Sequence, residues 1–199
     1  MNQVFSFQEK TYKQLLKKKM NEEIKTAGKF IKFCNIVYWF FVIGTIISAI
    51  ATILYLLIWS EHPNIEWLLG IITIFFPYAF SYIPKSVVWV SLCKDYKFRK
   101  KNVLSIVQGN LLYSYIDDHM FDYYVVQSFL VSLNEINEIL YNSKTGLITI
   151  KGQIKQEITI NNNKTENDCL EFDFFNSYDI DIIDFLKNYV SNYCKITIV

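Results

Sequence analysis

From about Phe33 to Ser60 the chain is an almost uncharged apolar run, dense in Ile, Leu, Val, Phe and Trp. It is long enough to cross a hydrocarbon core, which takes ~20 apolar residues as a helix. A second apolar run extends from Trp67 through Ile83, and the connection from Ser60 to Glu66 holds two acids and a proline but no Lys or Arg. Trp59 and Trp67 flank that connection as interfacial aromatics. The pattern predicts a two-helix transmembrane hairpin over residues 33–93, with spans at about 34–59 and 67–83 or slightly longer. Pro77 lies inside the second span, where a missing N–H should kink or locally open the helix. Pro84 and Lys85 follow near its end, and the short span favours a Lys85 that snorkels from the last turn over one buried on a protein-facing side.

Before the hairpin, residues 1–32 open with a short strand-like stretch, Val4-Phe5-Ser6-Phe7. Tyr12, Leu15, Leu16, Met20 and Ile24 then recur at helical spacing among lysines. This predicts a basic amphipathic helix leading to the bilayer. After a basic linker at 94–101 the period changes to two. Val103–Val107 and Leu111–Ile116 flank the turn signal Gln108-Gly109-Asn110, and further runs cover Tyr123–Ser132, Glu135–Tyr141, Gly146–Gly152, Lys155–Ile160 and Leu170–Phe174. That is about seven short strands, the arrangement of an antiparallel β-barrel or sandwich. Ile182, Ile183, Phe185, Leu186, Tyr189 and Val190 then form one face of a C-terminal helix over 178–192, with acids at its start. A β-like tail from Lys195 is expected to pair with an exposed edge, together with Val4–Phe7.

The formal net charge of +1 conceals a segregation. Residues 1–32 carry eight Lys against three Glu, residues 94–101 carry four Lys and one Arg against one Asp, and residues 102–199 carry six Lys against thirteen acids. Both ends of the hairpin therefore bear basic clusters, and the positive-inside rule puts both termini in the cytosol. Lys17, Lys18, Lys19, Lys94, Lys97, Arg99, Lys100 and Lys101 are the expected membrane-surface residues, drawn to anionic lipid headgroups. The acidic balance of 102–199 argues against a nucleic-acid duplex as partner. Cys34, Cys93, Cys169 and Cys194 show no C-x-x-C pair and no metal-ligand spacing, which suits a reducing compartment.

A short strand and helix, a two-helix hairpin, a basic stop, then strands with the rhythm Leu-Tyr-Ser-Tyr (112–115) and Gly-Leu-Ile-Thr-Ile-Lys-Gly (146–152) resemble the bacterial YcxB-like membrane proteins. That resemblance covers nearly the whole chain and implies a cytosolic pleckstrin-homology-like α+β domain at 102–199. It implies an architecture rather than an activity. The same block diagram is similar to the two-helix, β-rich effectors of bacterial cyclic-nucleotide antiphage systems, which implies ligand-triggered oligomerisation and membrane damage. The C-terminal helix favours the first likeness.

Candidate chemistry is sparse. Asp117, Asp118, His119 and Asp122 have ligand types for a divalent metal, although acids and His between strands more often form a polar turn. Tyr113, Tyr115, Tyr123 and Tyr124 are candidates to line a ligand pocket, against the commoner reading of strand aromatics as core. No nucleophile, phosphate-loop or metalloprotease motif is present, so neither catalysis nor a cofactor is expected. The expectation is a membrane-tethered binding or regulatory module without catalytic activity, partnered by lipids and by a protein or a second copy through the hairpin. The alternatives are a ligand-triggered antiphage effector, in which Gly44, Ser48, Ala49 and Ala51 would pack the helices, and an immunity protein against a membrane-active toxin, contacted through loop 60–66.

Overall fold

The structure, a computed structural model, describes residues 2–59, 63–118, 125–190 and 194–199. For residues 56, 59, 63–69 and 93–95 it describes the backbone course alone. Contacts divide the chain into a sheet unit, Met1–Glu22 with Asp95–Val199, and a helical unit, Glu23–Lys94.

The sheet unit holds eight strands: β1 (Asn2–Phe5), β2 (Arg99–Val107), β3 (Asn110–Asp117), β4 (Val125–Ser132), β5 (Ile136–Asn142), β6 (Leu147–Ile160), β7 (Asn163–Phe175) and β8 (Lys195–Ile198). They pair in the order β1-β2-β3-β4-β6-β5-β8, with β7 on the other side of β6. Every pairing is antiparallel except that of β8 with β5. Two hairpins turn on two residues that both have positive φ, Gln108-Gly109 and Asn161-Asn162, the backbone that a right-twisted two-residue hairpin demands. The sequence pattern ended a strand at Ile160, as observed, but split β6 in two. Instead β6 is one strand of 14 residues with a register shift between Lys151 and Ile154. Its first half pairs with β5 and its second with β4. Gly152 makes the passage possible, because a Cβ there would overlap the Glu135 carbonyl oxygen.

Inward-facing residues alternate with outward ones, as a one-sided sheet requires. Leu104, Ile106, Leu111, Tyr113, Ile148, Ile150, Ile154 and Phe174 are almost wholly buried. Among the described residues hydrogen bonding does not close this sheet into the expected barrel. β1 and β8 lie on separate edges, one on β2 and the other on β5, rather than together. The approach of residues 6–8 to the chain after β7 is a single bridge, Phe7 with Tyr178, supported by Gln8 N donating to Ser177 O (2.8 Å) and Asp179 N to Ser6 O (3.0 Å). That bridge also shortens the C-terminal helix. With Tyr178 in that bridge, α4 covers Ile182–Lys187 of the expected 178–192, whose residues 191 and 192 lie outside the described residues, and Asp181 caps it by accepting from Ile183 N (2.9 Å). Ile182, Ile183 and Leu186 seal the core, and the first part of α1 (Glu9–Thr26) adds buried Tyr12 and Leu16.

In the helical unit, α2 spans Lys29–Trp59 and α3 spans Pro63–Lys97. Two stretches are long and apolar enough to cross a membrane: Lys29–Tyr55, with mean hydropathy 2.2, and Gly70–Leu92, with 1.4. None of the most apolar window of α2 is buried, and 17% of that in α3 is. The second helix does not stop at Ile83, since it runs through both Pro77 and Pro84. Each proline leaves one carbonyl four residues earlier without its helical donor. The Ser81 and Ser86 hydroxyls donate to the carbonyls of Tyr78 (2.7 Å) and Ile83 (2.8 Å), tying side chain to backbone beside Pro84. The two helices touch where Phe41 stacks on Phe80 at 6.2 Å, and a Cβ on Gly70 would overlap the Thr52 side chain. A Cβ on Gly44 would meet nothing within 4 Å, so of these two glycines it is Gly70 that marks a close approach of the helices.

Candidate functional site

The chain contains one arginine among twenty basic residues, and the fold gives it a distinct task. Arg99 opens β2, three residues after Tyr96 at the end of α3 and opposite Asp117 on β3. Its side chain is only 10% exposed. One terminal nitrogen donates to the Asp173 carbonyl oxygen at 2.6 Å, and the other to Asp173 Oδ1 at 3.0 Å. The Tyr96 hydroxyl bonds the other oxygen of the same carboxylate. The guanidinium carbon lies 4.6 Å from the ring centres of both Tyr96 and Tyr115, so two aromatic rings hold the charge.

Alternation puts Asp173 there. Phe172 and Phe174 point into the core, and the residue between them faces the other way on β7. Around the pair, the Tyr12 hydroxyl donates to the Tyr96 carbonyl at 2.6 Å, and Phe175 meets the rings of Tyr12 (5.2 Å) and Tyr96 (5.3 Å). The Lys19 ammonium sits 5.0 Å from the Tyr96 ring centre. On the far side the Tyr115 hydroxyl donates to Gln127 Oε1 at 3.0 Å. The node thus joins the start of α1, the last residues of α3, and strands β2, β3, β4 and β7.

Its electrostatics favour a permanent charge. Burial alone would push the Arg99 pKa down, but its acidic neighbours, of which Asp173 is the charged one, outweigh it and the net movement is upward. Burial raises the Tyr113 and Tyr178 phenols above their ordinary value, so both stay neutral. An ion pair surrounded by aromatic rings can hold and orient the elements that meet there.

The residues singled out from sequence scatter. Lys17 and Lys18 are exposed on α1, while Lys19 is half-buried against Tyr96. Lys97 lies over the Phe98 ring at 5.4 Å, and Lys101 is exposed with a left-handed φ of 49° at the irregularity in β2. Lys100 pairs with Asp118, so a basic-linker residue and a metal candidate occupy each other. Asp117 accepts from Gln127 Nε2 at 3.5 Å. His119, Asp122, Tyr123 and Tyr124, and the side chain of Lys94, lie outside the described residues. Among the described residues no group of three or more His, Cys, Asp or Glu could hold a metal ion.

Two expectations are corrected here. Arg99 is not on a surface that a bilayer could reach, because its guanidinium is consumed by Asp173 and two rings. Tyr113 and Tyr115 are core residues, the commoner reading of strand aromatics. Tyr113 is 1% exposed, stacks near Phe129 and Phe172, and donates to Asn102 Oδ1 at 2.8 Å. A cavity of about 650 Å³ in the sheet unit lies elsewhere, where β4 and β5 part along β6, lined in part by Ser132, Glu135, Lys155 and Asp168. Sequence reasoning missed Asp173 and Tyr96; the signal available was the use of arginine once where lysine is used nineteen times. Compared with protein-family models, curated proteins and solved structures, the chain matches none.

Proposed function

We propose that this chain is a two-span protein of the bacterial inner membrane, with both termini cytosolic, whose sheet unit is a non-catalytic binding or regulatory module of the YcxB-like, pleckstrin-homology-like layout. The observation that carries the reading is α2. Large apolar side chains such as Phe40, Ile47 and Leu57 are exposed along its length, which in water would cost roughly 25 cal/mol per Å² of apolar surface. A bilayer removes that cost. The basic residues that flank the hairpin favour the cytosolic orientation, and the excess of acids in residues 102–199 favours a basic partner away from the lipid.

Alkaline extraction of membranes from cells expressing the full chain tests the first part: the protein stays in the pellet, and release into the supernatant would sink the reading. Growth and membrane potential test the second. Expression of the full chain leaves both unchanged, as does a truncation lacking residues 33–93. Depolarisation that depends on those residues would replace the regulatory module with a membrane effector.

A further inference from the structure

Lys85 is the one charged residue in either span away from its flanks, and its surroundings differ from those of an anchor. The sequence has no acid between Glu23 and Glu61 and none between Glu66 and Asp95, so neither apolar stretch supplies a counter-charge. Lys85 lies seven residues before Leu92, the end of the apolar stretch of α3, or about 10 Å along a helix that rises 1.5 Å per residue. Side chains on a helix lean toward its N-terminus, which for α3 means away from the basic end of the hairpin. Lys85 follows that lean. Its ammonium lies 5.7 Å from the ring centre of Tyr82, one turn earlier, and 5.8 Å from that of Tyr38 on α2. It does not stretch toward the nearer basic flank, as snorkelling would require.

The three residues belong to the wall of a cavity of about 280 Å³ between α2 and α3, with Thr45, Tyr78 and Ser81. The Tyr78 and Tyr82 hydroxyl oxygens are 2.9 Å apart. One donates to the other, which leaves the second O–H of the pair free to donate into the cavity. The Ser81 hydroxyl is already spent on the Tyr78 carbonyl. The cavity therefore offers a positive charge and a phenolic donor, with no carboxylate. Ring faces balance an ammonium only in part, and its three N–H donors need oxygen acceptors.

We propose that this cavity binds a phosphate group, with Lys85 as its charge partner, the Tyr78–Tyr82 pair as hydrogen-bond donor and Tyr38 and Tyr82 positioning the ammonium. The inference rests on the membrane reading of the hairpin. A lipid phosphodiester drawn inward from the headgroup layer at the basic end, and a free phosphate entering from that end, offer the same chemistry.

The test uses the full chain in mixed micelles holding equal phosphatidylglycerol and phosphatidylcholine, with retained lipid counted by native mass spectrometry. We expect phosphatidylglycerol to be retained about fivefold over phosphatidylcholine, the scale of one Lys beside an anionic lipid. Lys85→Gln abolishes the preference; Lys85→Arg keeps it, and so does Lys32→Gln, which removes an exposed charge at the same end of the hairpin. A second arm titrates inorganic phosphate onto lipid-free, detergent-held protein. A rise in unfolding temperature that Lys85→Gln removes, without a lipid preference, assigns the site to soluble phosphate. Equal lipid retention by the parent chain and Lys85→Gln with no response to phosphate overturns the proposal, as does an equal loss in Lys32→Gln. Release from membranes at alkaline pH would instead refute the two-span reading itself.

Discussion

Arg99 and Asp173 are buried to different depths, and that difference decides which of them is costlier to lose. The arginine side chain is 10% exposed and the aspartate 27%. Removing one partner of a buried pair leaves the other charge unpaired, at about 3–5 kcal/mol when burial is deep. Asp173→Ala strands the deeper charge and also frees the Tyr96 hydroxyl, so we expect a loss near about 3 kcal/mol. Arg99→Met leaves a half-solvated carboxylate that still accepts from Tyr96, and its cost should be the smaller by at least about 1 kcal/mol. The four tryptophans, at 39, 59, 67 and 89, all lie in the helical unit and would not report this. Pulse proteolysis of the full chain across a urea series measures it, and equal costs for the two variants would contradict the geometry. The Arg99 ion pair was illegible from sequence because its partner is 74 residues away. Spacing encodes neighbours along an element, whereas a pair across the sheet depends on register.

Gly152 governs how one strand serves two neighbours. Because β6 passes the Glu135 carbonyl without a side chain in the way, its halves can pair with β5 and with β4. Gly152→Ala forces a backbone shift at the bulge and should cost about 1–3 kcal/mol, as overpacking does. Gln153→Ala, beside it and exposed, should be near neutral in the same proteolysis series. An unaffected Gly152→Ala would mean that the two strands can part without this contact. At this scale the sequence was read well where one physical cause ruled. Alternation found β3, the start of β6 and the end of β7, and apolar length found α2. It failed where tertiary contacts overrode the local signal. The run after Ser177 looked helical from its start, yet Tyr178 is spent on a bridge to Phe7 and the helix waits for the Asp181 cap. Pro84 looked like an end, and α3 runs through it.

The sheet unit is assembled from both ends of the chain, so residues 95–199 are incomplete without residues 1–22. Phe5, Tyr12 and Leu16 are buried in it, and β1 covers the edge of β2. A fragment of 95–199 alone should therefore be degraded far faster by thermolysin than the same fragment co-expressed with residues 1–22, and similar lifetimes would show that the N-terminal segment is dispensable. By itself the sequence determined the apolar helices, the charge asymmetry around them and the presence of a strand-rich second half. These follow from composition and short periods, which solvent and backbone geometry impose residue by residue. Tertiary structure alone decided that the N-terminal strand and the tail take separate edges, that the sheet stays open among the described residues, and that Arg99 turns inward. It also decided that Lys85 leans back over two tyrosines. Each of these depends on which distant segment arrives beside a residue, and a hydrogen bond or ion pair selects that neighbour only once the whole chain has packed.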